Sequence, residues 1–118
     1  MKVESYENLI VWQKSMDLVT LVYKLTEKFP REEIYGLTMQ IRRSSVSIPS
    51  NIAEGSRRSS RKDFRNFLLN AYGSGAELET QIKIAKKLQL GEKEEYLKIE
   101  DLLSEIMRML NKLTTNLK

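Results

Sequence analysis

Five cations crowd into residues 57–65: Arg57, Arg58, Arg61, Lys62 and Arg65, with Asp63 as the one acid among them. A guanidinium group presents its N–H donors in a planar fork that matches phosphate oxygens. A stretch of this kind therefore suits contact with a phosphate backbone. Ordinary helix capping explains only part of it. Arg57 and Arg58 follow a helix C-terminus, where cations are favoured. Arg61, Lys62 and Arg65 fall in the first turns of the next helix, where each opposes the helix dipole by about a few tenths of a kcal/mol. Arg42 lies off both the apolar and the polar stripe of its helix, so it is expected to be exposed and is a further candidate. The competing reading is a basic end that docks an acidic protein partner, or the acidic end of another copy. Phe64 and Phe67 fall on the core face, so contact by charge and shape is expected rather than base stacking.

Other chemistries are removed by composition. The chain has no cysteine and no histidine. Disulfides, thiolate nucleophiles, cysteine zinc sites, Ser-His-Asp catalysis and the Glu-x-x-His di-iron site cannot be built. Serines, carboxylates and lysines are present, but no base–nucleophile constellation is visible. A chain that binds rather than catalyses, with no cofactor and no metal, is the expectation.

A second pattern is polar. Gln40, Arg43, Ser47, Asn51 and Glu54 step by four, three, four and three along one helix. Polar groups beside a core must be paired or wet. An inter-helix or inter-subunit hydrogen-bond network is expected, with Arg43 paired to Glu77 or Glu79 of the following helix.

The elements that must position these groups are helical throughout. Leu9, Trp12, Met16, Val19 and Tyr23 form one apolar stripe on a first helix from Tyr6 to Lys28, and Val11, Leu18, Val22, Leu25 and Phe29 form a second. Two stripes leave open a thick core or a core plus a subunit interface. A second helix begins at Phe29-Pro30, carries Ile34, Leu37, Ile41, Ile48 and Ile52 inward, kinks near Pro49 and is capped by Gly55. Ser60 caps a third helix running to about Leu88. Gly73 and Gly75 within it predict the close approach of another helix, and Gly91 closes it. From Glu92, a fourth helix steps Tyr96, Ile99, Leu103, Ile106, Leu110, Leu113 and Leu117 without a miss. Short connections between long helices predict an all-α, antiparallel up-down four-helix bundle, one domain over residues 1–118. Its 2–3 corner would be basic. Glu32, Glu33, Glu92, Glu94 and Glu95 would make the opposite end acidic.

Hydrophobic residues make up 41% and charged residues 31%, with a formal charge of +4. That is an ordinary soluble balance with no membrane-length apolar run. The first residues lack a signal core, so a cytoplasmic location is expected.

The run Gln40-Ile41-Arg42-Arg43-Ser44-Ser45-Val46-Ser47-Ile48-Pro49-Ser50-Asn51-Ile52-Ala53-Glu54-Gly55, with Glu33-Ile34-Tyr35-Gly36 before it, resembles the signature of the 23S ribosomal RNA intervening-sequence proteins. Val11-Trp12-Gln13-Lys14, Phe29-Pro30, Ala71-Tyr72-Gly73-Ser74 and Glu77-Leu78-Glu79-Thr80-Gln81 extend the likeness over nearly the whole chain. Ser44 stands where alanine is commoner in that pattern, and Ser56 where an aromatic is common. The resemblance implies a four-helix bundle that forms homopentamers. It also implies kinship with the accessory variability proteins of diversity-generating retroelements, which are pentameric basic barrels that bind nucleic acid and a reverse transcriptase. RNA or DNA, a second copy of the chain and an acidic protein are the partners this suggests.

Overall fold

Tyr96, Ile99, Leu103, Ile106 and Leu110 step by three and four, and each is buried. They line one face of a helix whose opposite face carries Lys93, Glu94, Lys98 and Asp101, all exposed. The same logic repeats three times in a computed structural model that describes residues 5–118. Its helices are α1 (Ile10–Thr26), α2 (Leu37–Ser56), α3 (Arg61–Lys87) and α4 (Lys93–Asn116). Single 3₁₀ turns at Tyr6–Asn8 and Arg31–Glu33 precede α1 and α2. No strand occurs among the described residues. The reading of the chain's first four residues as lacking a signal lies outside them.

Each helix packs on its neighbour in sequence, and α1 closes the ring of contacts against α4. Lys24 meets Glu95 at 3.6 Å and Lys14 meets Glu105 at 3.2 Å, so α1 and α4 run in opposite directions. The result is a rod of 43 × 24 × 20 Å. Leu18, Leu25, Ile41, Ile48, Ile52, Leu68, Leu78, Ile82 and Ile106 fill its axis. No helix among the described residues is long and apolar enough to cross a membrane.

Several local expectations change. Helix α2 begins at Leu37, not at Pro30, because Gly36 (φ −114°, ψ −115°) breaks the chain direction after the 3₁₀ turn. The Glu33 carboxylate then accepts from the Leu37 N–H at 3.2 Å. Ile34, expected in the core, lies before this break and is 46% exposed. Helix α2 runs from Leu37 to Ser56 with Pro49 inside it. Gly55 lies inside it and caps nothing; its missing side chain admits Phe64 and Phe67 of α3. Gly75 gives way to Met107 of α4 rather than to α2, and Gly73 has open space beside it. Helix α3 ends in a Schellman motif, with Leu90 N–H on Ala85 O and Gln89 N–H on Lys86 O, both at 3.1 Å. The left-handed residue there is Gln89 (φ 58°), and Gly91 (φ 72°) turns the chain into α4.

Candidate nucleic-acid interface

The corner between α2 and α3 is held by two devices. Ser60 caps α3 by accepting the Asp63 N–H at 3.0 Å. The absent side chain of Gly55 lets α3 approach α2 at its last turn. Together they bring Arg57, Arg58, Arg61, Lys62 and Arg65 to one end of the rod, where the C-terminus of α4 and the start of α1 also arrive. Four of the five are exposed, and Arg65 is half-buried.

Each cation has its own environment. The Arg57 guanidinium lies 5.4 Å above the Tyr6 ring, which packs edge-on against Trp12 at 5.2 Å. Arg58 is ion-paired with Glu54 at 2.9 Å and stacks over Phe67 at 4.8 Å. Arg61 donates from Nη2 to the Asn116 carbonyl at 3.0 Å. Arg65 donates from Nε to the Thr114 carbonyl at 2.9 Å. Arg61 and Arg65 thus satisfy carbonyls in the last turn of α4, which no intrahelical donor reaches. Their placement costs a little at the start of α3 and is favourable at the negative end of α4. Lys62 has no hydrogen-bond or ion-pair partner among the described residues. Among the described residues, four of the five cations have no carboxylate within 4.0 Å.

Arg42 does not join them. It lies roughly 20 Å from Arg57 along α2, at 1.5 Å per residue. Its Nε donates to Thr26 Oγ1 at 2.8 Å and its guanidinium stacks on Tyr23 at 4.3 Å. It is half-buried against α1, not exposed. The far end of the rod is not acidic either. Lys24, Lys28, Lys86 and Lys87 join Arg31 and Lys93 there and match Glu27, Glu32, Glu33, Glu92, Glu94 and Glu95 one for one. Lysines in the last turns of α1 and α3 offset those helices' dipoles, which the acidic-end expectation left out. The rod is basic at one end and balanced at the other.

The polar line of α2 is real but shorter than expected. Ser47 and Ser74 share a 2.7 Å hydrogen bond, and Asn51 Nδ2 donates to Ser47 Oγ at 3.0 Å. Glu54 turns instead to Arg58. Arg43 makes no ion pair with Glu77 or Glu79. It shares a cleft with Glu77 without touching it, whereas Glu79 lies on the α3–α4 side beside Lys83 and Glu100. Residues 77 and 79 are two apart, about 200° round a helix, so they could not both have faced α2.

Two apolar surfaces remain open. One groove, of about 650 Å³, is lined by Tyr23, Ile34, Tyr35, Met39 and Val46, with Tyr35 88% exposed. Another, of about 470 Å³, lies between α1 and α4 at Leu9, Ile10, Met109 and Leu113. The outer stripe of α1 is only partly covered: Met16 and Tyr23 are exposed, and Leu9, Trp12 and Val19 are half-buried. Sequence reasoning missed Tyr6, Ser74 and the α4 carbonyls as parts of these sites. Only the helix pairing brings them in. No cluster that could hold a metal ion occurs among the described residues.

Known proteins place the chain. A solved structure described as a protein with unknown function from the S23 ribosomal protein family, from Bacteroides thetaiotaomicron VPI-5482, superposes with a TM-score of 0.81. It is 26% identical and covers 89% of this chain and 98% of that one. Among curated proteins no match is found. The profile of the 23S rRNA-intervening sequence proteins matches residues 7–112, the whole bundle up to the last turn of α4. With the solved structure in agreement on the fold, the chain belongs to the 23S rRNA-intervening sequence protein family.

Proposed function

We propose that this protein is a non-catalytic, self-assembling nucleic-acid-binding protein that holds a phosphate backbone at the α2–α3 corner, RNA in preference to DNA. The observation that carries this is the corner itself: five cations at one end of the rod, four of them without a carboxylate partner among the described residues. Arg61 and Arg65 are held in place by α4 through one nitrogen each, which leaves other N–H groups of each fork for a ligand. RNA is the first polyanion to test because the family's description ties it to 23S rRNA. The two apolar grooves support self-assembly, since a ring needs two different surfaces that fit one another. Fivefold symmetry, implied by the family resemblance, would gather the basic corners around one axis and raise the local potential.

The test is a fluorescence-anisotropy titration of a labelled, structured RNA at several salt concentrations. The side chains of Arg57 and Lys62 make no hydrogen bond among the described residues, so the double variant Arg57→Ala/Lys62→Ala removes charge without releasing a helix end. It should weaken binding and reduce the log–log salt slope by about 1.5, since each lost phosphate contact is worth ~0.7–0.9. An unchanged slope would reject the corner as the site. RNA-independent capture of an acidic protein by the same residues would favour a docking role instead.

A further inference from the structure

We propose that the cleft between α2 and α3 binds a small zwitterion, a molecule of amino-acid size with one ammonium and one carboxylate. The cleft holds about 340 Å³ and is lined by Gln40, Arg43, Ser44 and Ser47 from α2 and by Glu77 and Gln81 from α3. It is separate from the basic corner, and the reading does not depend on nucleic-acid binding.

Three observations define the ligand. The first is Gln81. Its side chain is only 8% exposed, it makes no hydrogen bond within the chain, and its Oε1 is sealed without a partner. Buried amide oxygens are rarely left so, and Gln81 is one of the residues that line the cleft. The second is the pair of walls. Arg43 stands exposed on one and Glu77 on the other, and neither has an opposite charge within 4.0 Å among the described residues. The third is the Ser47 hydroxyl, already satisfied by Ser74 and Asn51, so the unmet demand sits higher, around residues 43, 77 and 81.

Complementarity then fixes the class. An ammonium group would donate to the Glu77 carboxylate and, with the Gln81 side chain turned towards the cleft, to its Oε1. A carboxylate would accept from the Arg43 fork, with the Gln40 amide as a further donor. A ligand with one charge leaves the other wall unpaired, which is how a site of this kind discriminates. Every lining residue is polar or charged, so small or polar side chains on the ligand are favoured over large apolar ones.

The experiment is an amide-resolved NMR titration of the isotope-labelled full chain with the common amino acids. Acetate and methylammonium at matched ionic strength serve as singly charged controls. Saturable shifts confined to amides of residues 40–47 and 74–81 are expected with at least one small amino acid, at Kd of roughly 0.1–10 mM for so few ligand atoms. Arg43→Gln and Glu77→Gln, both at exposed positions, should each weaken that binding about tenfold. Gln81→Met, which keeps the volume and removes the amide, should do the same. Three results would overturn the proposal: no saturable shift with any amino acid, equal response to acetate or methylammonium, or cleft shifts that follow protein concentration instead of ligand. The last would assign the cleft to contact between copies.

Discussion

Replacing Gly55 and Gly73 by alanine, one at a time, places the same chemical change in opposite surroundings. Both lie inside helices, so each substitution gains about 1 kcal/mol of intrinsic helix preference. At Gly73 the new methyl meets nothing within 4 Å. The gain is therefore kept, and a stabilisation of about 0.5–1 kcal/mol is expected. At Gly55 the methyl carbon would sit 2.5 Å from Phe67 Cβ, 3.2 Å from Phe64 Cδ1 and 3.3 Å from the Phe64 carbonyl oxygen. Phe67 Cβ and that oxygen are fixed to the backbone of α3, so no side-chain rotation relieves the overlap. The two helices must separate, at a cost in the upper part of the ~1–3 kcal/mol range for overpacking. Less the helix gain, Gly55→Ala should lose about 1–2 kcal/mol. The two variants then differ by roughly 1.5–3 kcal/mol, near 10 °C in Tm for a domain of this size. Urea unfolding followed by circular dichroism, at one protein concentration and with m-values compared, measures this directly. A Gly55→Ala protein as stable as the parent would refute the view that close helix approach builds the corner.

Other substitutions probe single contacts. Ser60→Ala removes the acceptor of the Asp63 N–H and should lower the urea midpoint by the equivalent of about 1 kcal/mol. Ser47→Ala and Ser74→Ala each strip one partner from the 2.7 Å hydroxyl pair, so a double-mutant cycle should give a coupling of about 0.5–1 kcal/mol. Additive losses would show that the contact is not shared. Burial, reinforced by the Glu100 carboxylate, pushes the Tyr96 phenol from 10.0 up to about 12. Above pH 10 the unfolded chain gives up this proton while the folded chain keeps it. This contribution is therefore intact below pH 10 and is lost as pH rises towards 12, by at most ~1.4 kcal/mol per pH unit. Urea midpoints across that range should fall less steeply for Tyr96→Phe, even though that variant leaves the Leu90 carbonyl without its 2.6 Å donor.

Periodicity read the core because burial is a property of a helix face. Val11, Leu18, Val22 and Leu25 on α1 and the whole Tyr96–Leu110 series on α4 are buried where their spacing put them. What local reasoning missed depended on a second helix. Gly55 looks like a cap until Phe64 and Phe67 are seen to fill the space beside it. Arg42 looks free until Tyr23 and Thr26 of α1 come under it. The start of α2 was misplaced because Pro30 and the glutamates at 32 and 33 suit a helix start, yet they complete only one 3₁₀ turn before Gly36 redirects the chain. The basic corner was legible as a cluster, whereas the use of Arg61 and Arg65 by α4 was not.

That use changes how the corner must be tested. A cation at the start of its own helix is unfavourable when α3 is considered alone, which makes Arg61 and Arg65 look as though only a ligand explains them. Counting the neighbouring helix removes much of the anomaly, because the carbonyls of Thr114 and Asn116 need donors and lie at the negative end of α4. An incoming phosphate must either use the N–H groups those carbonyls leave over or displace them. Alanine at 61 or 65 would therefore disturb fold and binding together, and reduced affinity there is ambiguous. Arg57 and Lys62 hold no backbone group, so loss of RNA affinity in Arg57→Ala/Lys62→Ala with an unchanged urea midpoint belongs to the phosphate contact. Loss confined to Arg61 and Arg65 variants, with a lowered midpoint, belongs to the end of α4.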